Sequence, residues 1–256
     1  MTTIDLSGKH VLVVGGSRGI GASAALTVAK AGANVSLTYR DNTGAAGAVA
    51  HAIQAAGGGG ALAIQADVQN ETAIEAAVAS AIAAFGPLAG VVISAGIFEH
   101  QPIETMTLDF WNRTMATNLT GTMLAVRAVQ KGMRETGTGG SIVIYTSTAG
   151  QSGGSGGSSA YCVSKAGQIM FMKCMAHELA PANIRVNCVA PAWTETDMAA
   201  ASLDRLGREK VAQGFPLGRI GQPQDVADAT LFLLSDLSAF ITGVTLTVDG
   251  GIAMRG

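Results

Sequence analysis

The segment Ser158-Ser159-Ala160-Tyr161-Cys162-Val163-Ser164-Lys165 sets a tyrosine four positions ahead of a lysine. If a helix begins near Ser159, the two side chains lie one turn apart on the same face and can converge on one small site. Free tyrosine, with a pKa near ~10, is a poor acid-base group at neutral pH, but an adjacent ammonium favours the phenolate. Lowering it by one pH unit takes about 1.4 kcal/mol, a size within reach of a partly desolvated lysine beside the ring. The pair therefore has the makings of a proton donor. Such pairs also occur on ordinary solvated helices. What distinguishes this one is Ser147, in the strand-end run Tyr145-Thr146-Ser147, which comes to the carboxyl edge of a parallel sheet, where ligands of such sheets bind.

A second cluster, Val14-Gly15-Gly16-Ser17-Arg18-Gly19-Ile20-Gly21, follows the first β-branched run and precedes an alanine-rich helical stretch. Gly15, Gly19 and Gly21 permit a tight turn whose backbone N–H groups approach a pyrophosphate, while the helix N-terminus favours the negative charge. The placement predicts a dinucleotide site. An enzyme that uses NAD usually presents a carboxylate at the end of the second strand, for the adenosine ribose hydroxyls. Here that strand ends Leu37-Thr38-Tyr39-Arg40, with Tyr39 in the acid's place and Arg18 inside the glycine loop. Two guanidinium groups near one ribose suit a 2′-phosphate, so NADPH/NADP+ is expected over NADH; the alternative is a pair of solvated surface arginines. Asp41 is the competing group, because a slightly longer strand would bring its carboxylate to the ribose. Asp67, after the third strand, can cap a turn or hydrogen-bond the adenine amino group.

The elements that must position these groups recur in a rhythm. HVLVVG, ANVSLTY, GALAIQA, LAGVVIS, GSIVIYTS, IRVNCVA and VTLTVDG alternate with alanine-rich segments of helical length. Continuous apolar strands are buried on both faces, which predicts a doubly wound α/β fold: a parallel sheet with helices on each side. Residues 222 to 235 give the last helix. No shift in composition divides the chain, so residues 1–256 are expected to form a single domain. The Gly/Ser stretch 151 to 159 reads as a flexible internal loop, and the tetraglycine Gly57 to Gly60 as a helix end. Residues 193 to 214, with small, polar and charged residues alternating and no strand-like run, are expected to form a mobile substrate lid in which Trp193 and Met198 offer apolar contact.

A net charge of -2 and 13% charged residues leave no excess of either sign to attract nucleic acid or a lipid surface, and small-molecule chemistry is the expectation. The three cysteines, Cys162, Cys174 and Cys188, read as reduced core thiols, with no metal site. Ala76 to Phe98 runs without a charge, but Gly86-Pro87 divides it into a helix, a turn and a buried strand rather than a membrane span. The start resembles no secretory signal, and the expected location is the cytoplasm.

Taken together, GGSRGIG, ATNLTG, YTSTAG, YCVSK, IRVNCVAPAWTETDM and TGVTLTVDGG resemble, in order and spacing, the motifs of the short-chain dehydrogenase/reductase family along essentially the whole chain. The resemblance implies a Rossmann fold. It implies Tyr161 as general acid/base, Lys165 as the group that lowers its pKa and binds the nicotinamide ribose, and Ser147 as a hydrogen-bond partner of the substrate oxygen. Asn118 would support a water-linked proton path to the lysine. By the same carry-over, Ser17, Ile20, Val68, Ser94, Ala95, Gly96, Pro191, Thr194 and Thr196 join the residues above at the cofactor. The sequence departs from the family pattern at Val14, where threonine is common, at Ile93-Ser94, where two asparagines are usual, and at Ala192 in place of glycine.

The expected reaction is reduction of a ketone or 3-oxoacyl-type carbonyl by NADPH, as in 3-oxoacyl-[acyl-carrier-protein] reductase-like members. Oxidation of a secondary alcohol or a sugar would use the same residues. A non-catalytic dinucleotide-sensing module would need no Ser147, Tyr161 and Lys165 together. The resemblance also implies a homotetramer built partly from the helices carrying Asn118 to Lys131 and Tyr161 to Leu179. Lys131, Arg134 and Lys173 could meet an acidic acyl carrier protein or be ordinary surface charges.

Overall fold

In the computed structural model residues 4–57 and 59–254 are described; 1–3, Gly58 of the tetraglycine and 255–256 of the expected domain lie outside them. All seven apolar runs form strands. β1 (His10–Val14) leads through the glycine turn into α1 (Gly19–Lys30), and the alternation continues through β2 (Asn34–Tyr39), α2 (Thr43–Ala55), β3 (Ala61–Gln65), α3 (Glu71–Phe85) and β4 (Gly90–Ile93). Next come α4 (Leu108–Met115), a π-helical turn (Ala116–Thr120), α5 (Gly121–Thr136) and β5 (Gly140–Tyr145). A single turn α6 (Ala149–Ser152), the long α7 (Ser159–Leu179) and β6 (Ile184–Pro191) follow. The chain closes with α8 (Asp197–Leu206), α9 (Arg208–Gln213), α10 (Pro223–Leu234) and β7 (Thr245–Val248).

The strands form one parallel sheet in the order β3-β2-β1-β4-β5-β6-β7. Winding runs outward from β1 to β3, then returns to place β4 beside β1. Connections therefore leave the carboxyl ends of β1 and β4 in opposite directions and open a crevice between them. Strand residues alternate between two cores, as the pleat requires. Leu12, Val14, Ile142 and Ile144 join Met172 of α7 on one face, while Val11, Val13, Val92 and Val143 join Val28 of α1 and Val226 of α10 on the other. The central β1 and β4 are buried throughout, whereas the edge strands β3 and β7 are half-exposed. This is the doubly wound single domain that the apolar runs predicted.

The uncharged stretch from Ala76 to Phe98 resolves into the end of α3, a turn at Gly86 with φ of 79°, and β4. No helix among the described residues is long and apolar enough to cross a membrane. The cysteine expectation needs one correction. Cys162 and Cys188 are buried, but Cys174 is exposed. It follows the fully buried Met172 by two positions, about 200° around α7, and so points away from the core. The segment 193 to 214 contains no strand, as expected, but it is built of α8 and α9: Ala199 and Leu203 of α8 pack with Ile220 in a small core, against Trp193 and against Val211 and Ala212 of α9.

Ile144, fully buried one residue before Tyr145, tests how tightly the middle of the sheet is packed. Ile144→Ala is expected to lower the unfolding free energy by about 2–5 kcal/mol, seen as a lower urea midpoint at unchanged slope. A loss under about 1 kcal/mol would mean that the site rests on a loosely packed strand.

Candidate active site

Helix α7 starts at Ser159, where the tyrosine-lysine spacing requires, and carries both groups to the carboxyl end of β5. Lys165 is only 5% exposed. Its Nζ donates to the Tyr145 carbonyl at 2.8 Å and to Gln168 Oε1 at 3.0 Å. The backbone of the same residue is tied back to the sheet, since Thr146 Oγ1 donates to the Lys165 carbonyl at 2.8 Å. The ammonium lies 5.6 Å from the centre of the Tyr161 ring. Ser147 Oγ accepts from the Ala149 N–H at 3.1 Å and donates to the Pro191 carbonyl at 3.4 Å, which fixes the hydroxyl between β5 and β6.

Asn118, wholly buried, sits in the π-helical turn, a local widening of the helix often found at functional sites. Its amide exchanges hydrogen bonds with both backbone groups of Ile97, accepting at 2.8 Å and donating at 3.0 Å, and donates to Ser164 Oγ at 3.0 Å. It thereby joins the loop after β4 to α7. The line from the Asn118 carbonyl to Lys165 runs through the side chain of Gln168, whose Nε2 donates to that carbonyl at 2.7 Å.

Burial governs the titration of the pair. Loss of water around Tyr161 pushes its phenol up to about 12, with the Ser147 hydroxyl pulling the other way. Burial likewise brings Lys165 down to about 8. The net shift of the phenol is upward, with desolvation its largest cause, while the ammonium is directed at the Tyr145 carbonyl and Gln168.

At the other end of the crevice the glycine turn is shaped as its sequence implied. A Cβ on Gly15, whose φ is +83°, would fall 2.7 Å from the Ala95 nitrogen, and one on Gly21 would fall 2.2 Å from the Gly15 carbonyl oxygen. Gly19 also has a positive φ of +55°. Helix α1 has no side-chain cap and no acid in its first turn, so its N-terminal N–H groups face the crevice without a competing carboxylate. This cradle fits a pyrophosphate. Thr38, which the sequence reading did not single out, holds it: its Oγ1 accepts from the Gly15 N–H at 3.1 Å, and its carbonyl from the Gly16 N–H at 2.9 Å.

All the expected site residues except Gly21 and Asn118 line one cleft of about 950 Å³. Those two lie beneath it: Gly21 is buried in the first turn of α1, and Asn118 Oδ1 stands 3.2 Å from where a Cβ on Gly96 would be. At the adenosine end β2 stops at Tyr39, so Asp41 lies beyond the strand. There Arg40 Nε pairs with Asp41 at 2.5 Å in an exposed contact, and Arg18 is exposed on the cleft wall. Asp67 caps a turn through the Gln69 N–H at 3.0 Å while its residue also borders the cleft. No group of three or more His, Cys, Asp or Glu able to hold a metal occurs among the described residues.

The substrate end is aromatic. Phe98 meets Tyr161 edge-on at 4.8 Å, His100 at 4.8 Å and Trp193 at 5.9 Å between ring centres. Phe98 and His100 escaped the sequence reading because they occupy an irregular loop with no periodic pattern. Gln168 and Thr38 escaped it because each is one position within an element whose apolar pattern explains its neighbours.

The pattern of the family described as enoyl-(acyl carrier protein) reductase matches residues 14–253. A 3-oxoacyl-[acyl-carrier-protein] reductase of Synechocystis sp. is 39% identical over 97% of this chain and 98% of its own. An L-rhamnose 1-dehydrogenase (NAD(P)(+)) of Azotobacter vinelandii is 38% identical over 95% and 96%. The crystal structure of a dehydrogenase/reductase from Sinorhizobium meliloti 1021 superposes with a TM-score of 0.90 at 37% identity, covering 98% of this chain and 97% of that one.

A lysine held near 8 in the folded protein, against 10.5 when exposed, has a consequence for stability. Between those pH values the unfolded chain binds more protons than the folded one, so this residue's contribution to stability rises with pH across the window and its full cost is felt below it. Lys165→Met is therefore expected to match or exceed the parent at pH 7 by about 1–3 kcal/mol. That advantage should shrink as the pH climbs from about 8 to 10.5 in urea titrations. A variant less stable at pH 7 would show that the two hydrogen bonds of the ammonium outweigh its desolvation.

Proposed function

We propose that this chain, which belongs to the short-chain dehydrogenase/reductase family, is an oxidoreductase that uses NADPH to reduce a ketone or 3-oxoacyl-type carbonyl to a secondary alcohol. The observation that carries the reading is the meeting of Ser147, Tyr161 and Lys165 in the same cleft as the glycine cradle. The nicotinamide, when bound there, supplies the hydride for the carbonyl carbon. Tyr161 gives its proton to the oxygen. A phenol held at about 12 is fully protonated at neutral pH, which suits donation to a nascent alkoxide more than removal of a proton from an alcohol. Ser147 steadies the oxygen, and Lys165, still mostly charged at pH 7 with a value near 8, offers its ammonium to the nicotinamide ribose. Asn118 supports this arrangement from beneath.

The cofactor reading rests on Arg18 and Arg40. The Arg40–Asp41 pair is exposed on both sides, and such contacts are worth about 0–1 kcal/mol, so the guanidinium can turn to a 2′-phosphate at small cost. The relationship to an L-rhamnose 1-dehydrogenase supports a second reading, oxidation of a sugar or secondary alcohol by the same residues run in reverse. A dinucleotide-sensing module is the least favoured, since it has no use for a buried lysine beside a half-buried phenol.

Three further assignments belong to this reading. The helices α8 and α9, with Trp193 and the half-exposed Met198 toward the cleft, act as the substrate lid over 193–214. Exposed Val163 and Met170 on α7 support association into a homotetramer. Lys131, Arg134 and Lys173 are all exposed, although Arg134 donates to the Glu178 carbonyl, and an acyl carrier protein is the weaker candidate partner. The cytoplasm is the proposed location.

Turnover of ketones, 3-oxoacyl thioesters and sugars, measured with each cofactor, tests the proposal. Tyr161→Phe should lose about 100-fold or more in kcat while NADPH binding stays close to normal; retention of over about a tenth of the rate would remove the tyrosine from the chemistry. NADPH should be preferred over NADH in kcat/KM by at least about tenfold, and Arg40→Asp should reduce that preference by about an order of magnitude. Equal use of NADH by the unmodified protein would overturn the cofactor assignment.

A further inference from the structure

Gln168 is fully buried on α7, three residues after Lys165. A buried carboxamide is costly unless its hydrogen bonds are made, and this one makes three: Oε1 accepts from Lys165 Nζ at 3.0 Å, and Nε2 donates to the Asn118 carbonyl and to Thr122 Oγ1, each at 2.7 Å. The orientation of the amide is dictated by its neighbours. A reversed amide would set NH₂ against an ammonium that can only donate, and oxygen against a carbonyl that can only accept. Thr122 Oγ1 also donates to the Asn118 carbonyl at 2.7 Å, so both lone pairs of that oxygen are occupied. Of the three Lys165 N–H donors, two are held by Tyr145 and Gln168, leaving one for the cleft.

We propose that Gln168 is a positioning residue for Lys165, its carboxamide bridging the ammonium to the Asn118 carbonyl. A carboxamide does not ionise at ordinary pH, so it orients the charge without competing for it. This inference rests on the catalytic reading of Tyr161 and Lys165 above, and its test separates the two.

The test compares Gln168→Met with Gln168→Ala. Methionine fills the space but offers the ammonium and the Asn118 carbonyl no partner. Alanine leaves room bordered by Lys165 Nζ, the Asn118 carbonyl and Thr122 Oγ1, enough polar groups to hold a water. Gln168→Met should lower kcat about tenfold or more while KM for the carbonyl substrate stays within about twofold. Gln168→Ala should stay within about threefold of the parent, because a bridging water restores the contacts. Packing alone demands the opposite order, since alanine removes more volume. Alanine worse than methionine, or methionine equal to the parent, would overturn the proposal. A second measurement needs no folded variant and no turnover: in the unmodified protein the Gln168 side-chain N–H₂ protons should exchange with solvent far more slowly than those of an exposed glutamine, and equal exchange would also overturn it. Full activity in Tyr161→Phe would instead sink the catalytic reading and leave the protected amide standing.

Discussion

One buried positive charge organises the catalytic end of this molecule. The Lys165 ammonium sits at the carboxyl end of β5 with almost no contact with water, and a charge so placed is tolerable only if its donors are met. The Tyr145 carbonyl meets one, at the point where the strand ends and its ladder has no further use for the group. The Thr146 hydroxyl then binds the carbonyl of the same lysine, so α7 is fastened to the sheet by side chain and backbone at one residue. Gly150 lets α6 pass close to that fastening, since a Cβ there would fall 2.7 Å from the Lys165 carbonyl carbon. With Lys165 fixed, Tyr161 one turn earlier has little freedom and comes to rest beside Ser147.

The cofactor end is organised by backbone instead of charge. Reversal of the strand order at β1 and β4 opens the crevice, and the two strand-end turns approach so closely that Gly15 has room for no side chain against Ala95. Both the Ser94 and the Ala95 N–H donate to the Val14 carbonyl, at 2.9 and 3.0 Å, which locks the turns together. The family's usual threonine at position 14 is absent, and the hydroxyl of Thr38 reaches the loop from the neighbouring strand. The first glycine of the cradle is thus held by a side chain of the adjacent strand.

Elements were far more legible in the sequence than contacts. The seven strands, the start of α7 and the last helix follow from runs of apolar residues and from Gly and Pro, because those signals are local. The convergence of Ser147, Tyr161 and Lys165 was legible because strand-end and helix-turn geometry place them with few alternatives. Gln168 was not legible, for its role depends on Asn118 and Thr122, which are about fifty positions away in the chain and meet it only when α5 packs on α7. Phe98 and His100 belong to a loop whose path no periodicity encodes. The outward turn of Cys174 is of the same kind: α7 packs along one side, and a small apolar residue in its sequence does not announce which side it takes.

Burial also sets the resting charge of the pair. The same desolvation raises the Tyr161 phenol to about 12 and lowers the Lys165 ammonium to about 8, moving both groups toward neutrality. At neutral pH the outcome is a protonated phenol beside a charged lysine, the state in which a proton is available to a developing alkoxide. Before transfer the ammonium interacts with a neutral ring and two fixed carbonyl-type oxygens. On the proposed reading it would face a phenolate after transfer, at a site only partly open to water, where the attraction between unlike charges is stronger than in bulk water. On that reading, in which Tyr161 gives up its proton, the lysine is already held still by its partners, so the attraction would arise without reorganisation and the charge costly to bury in the resting protein would stabilise the phenolate.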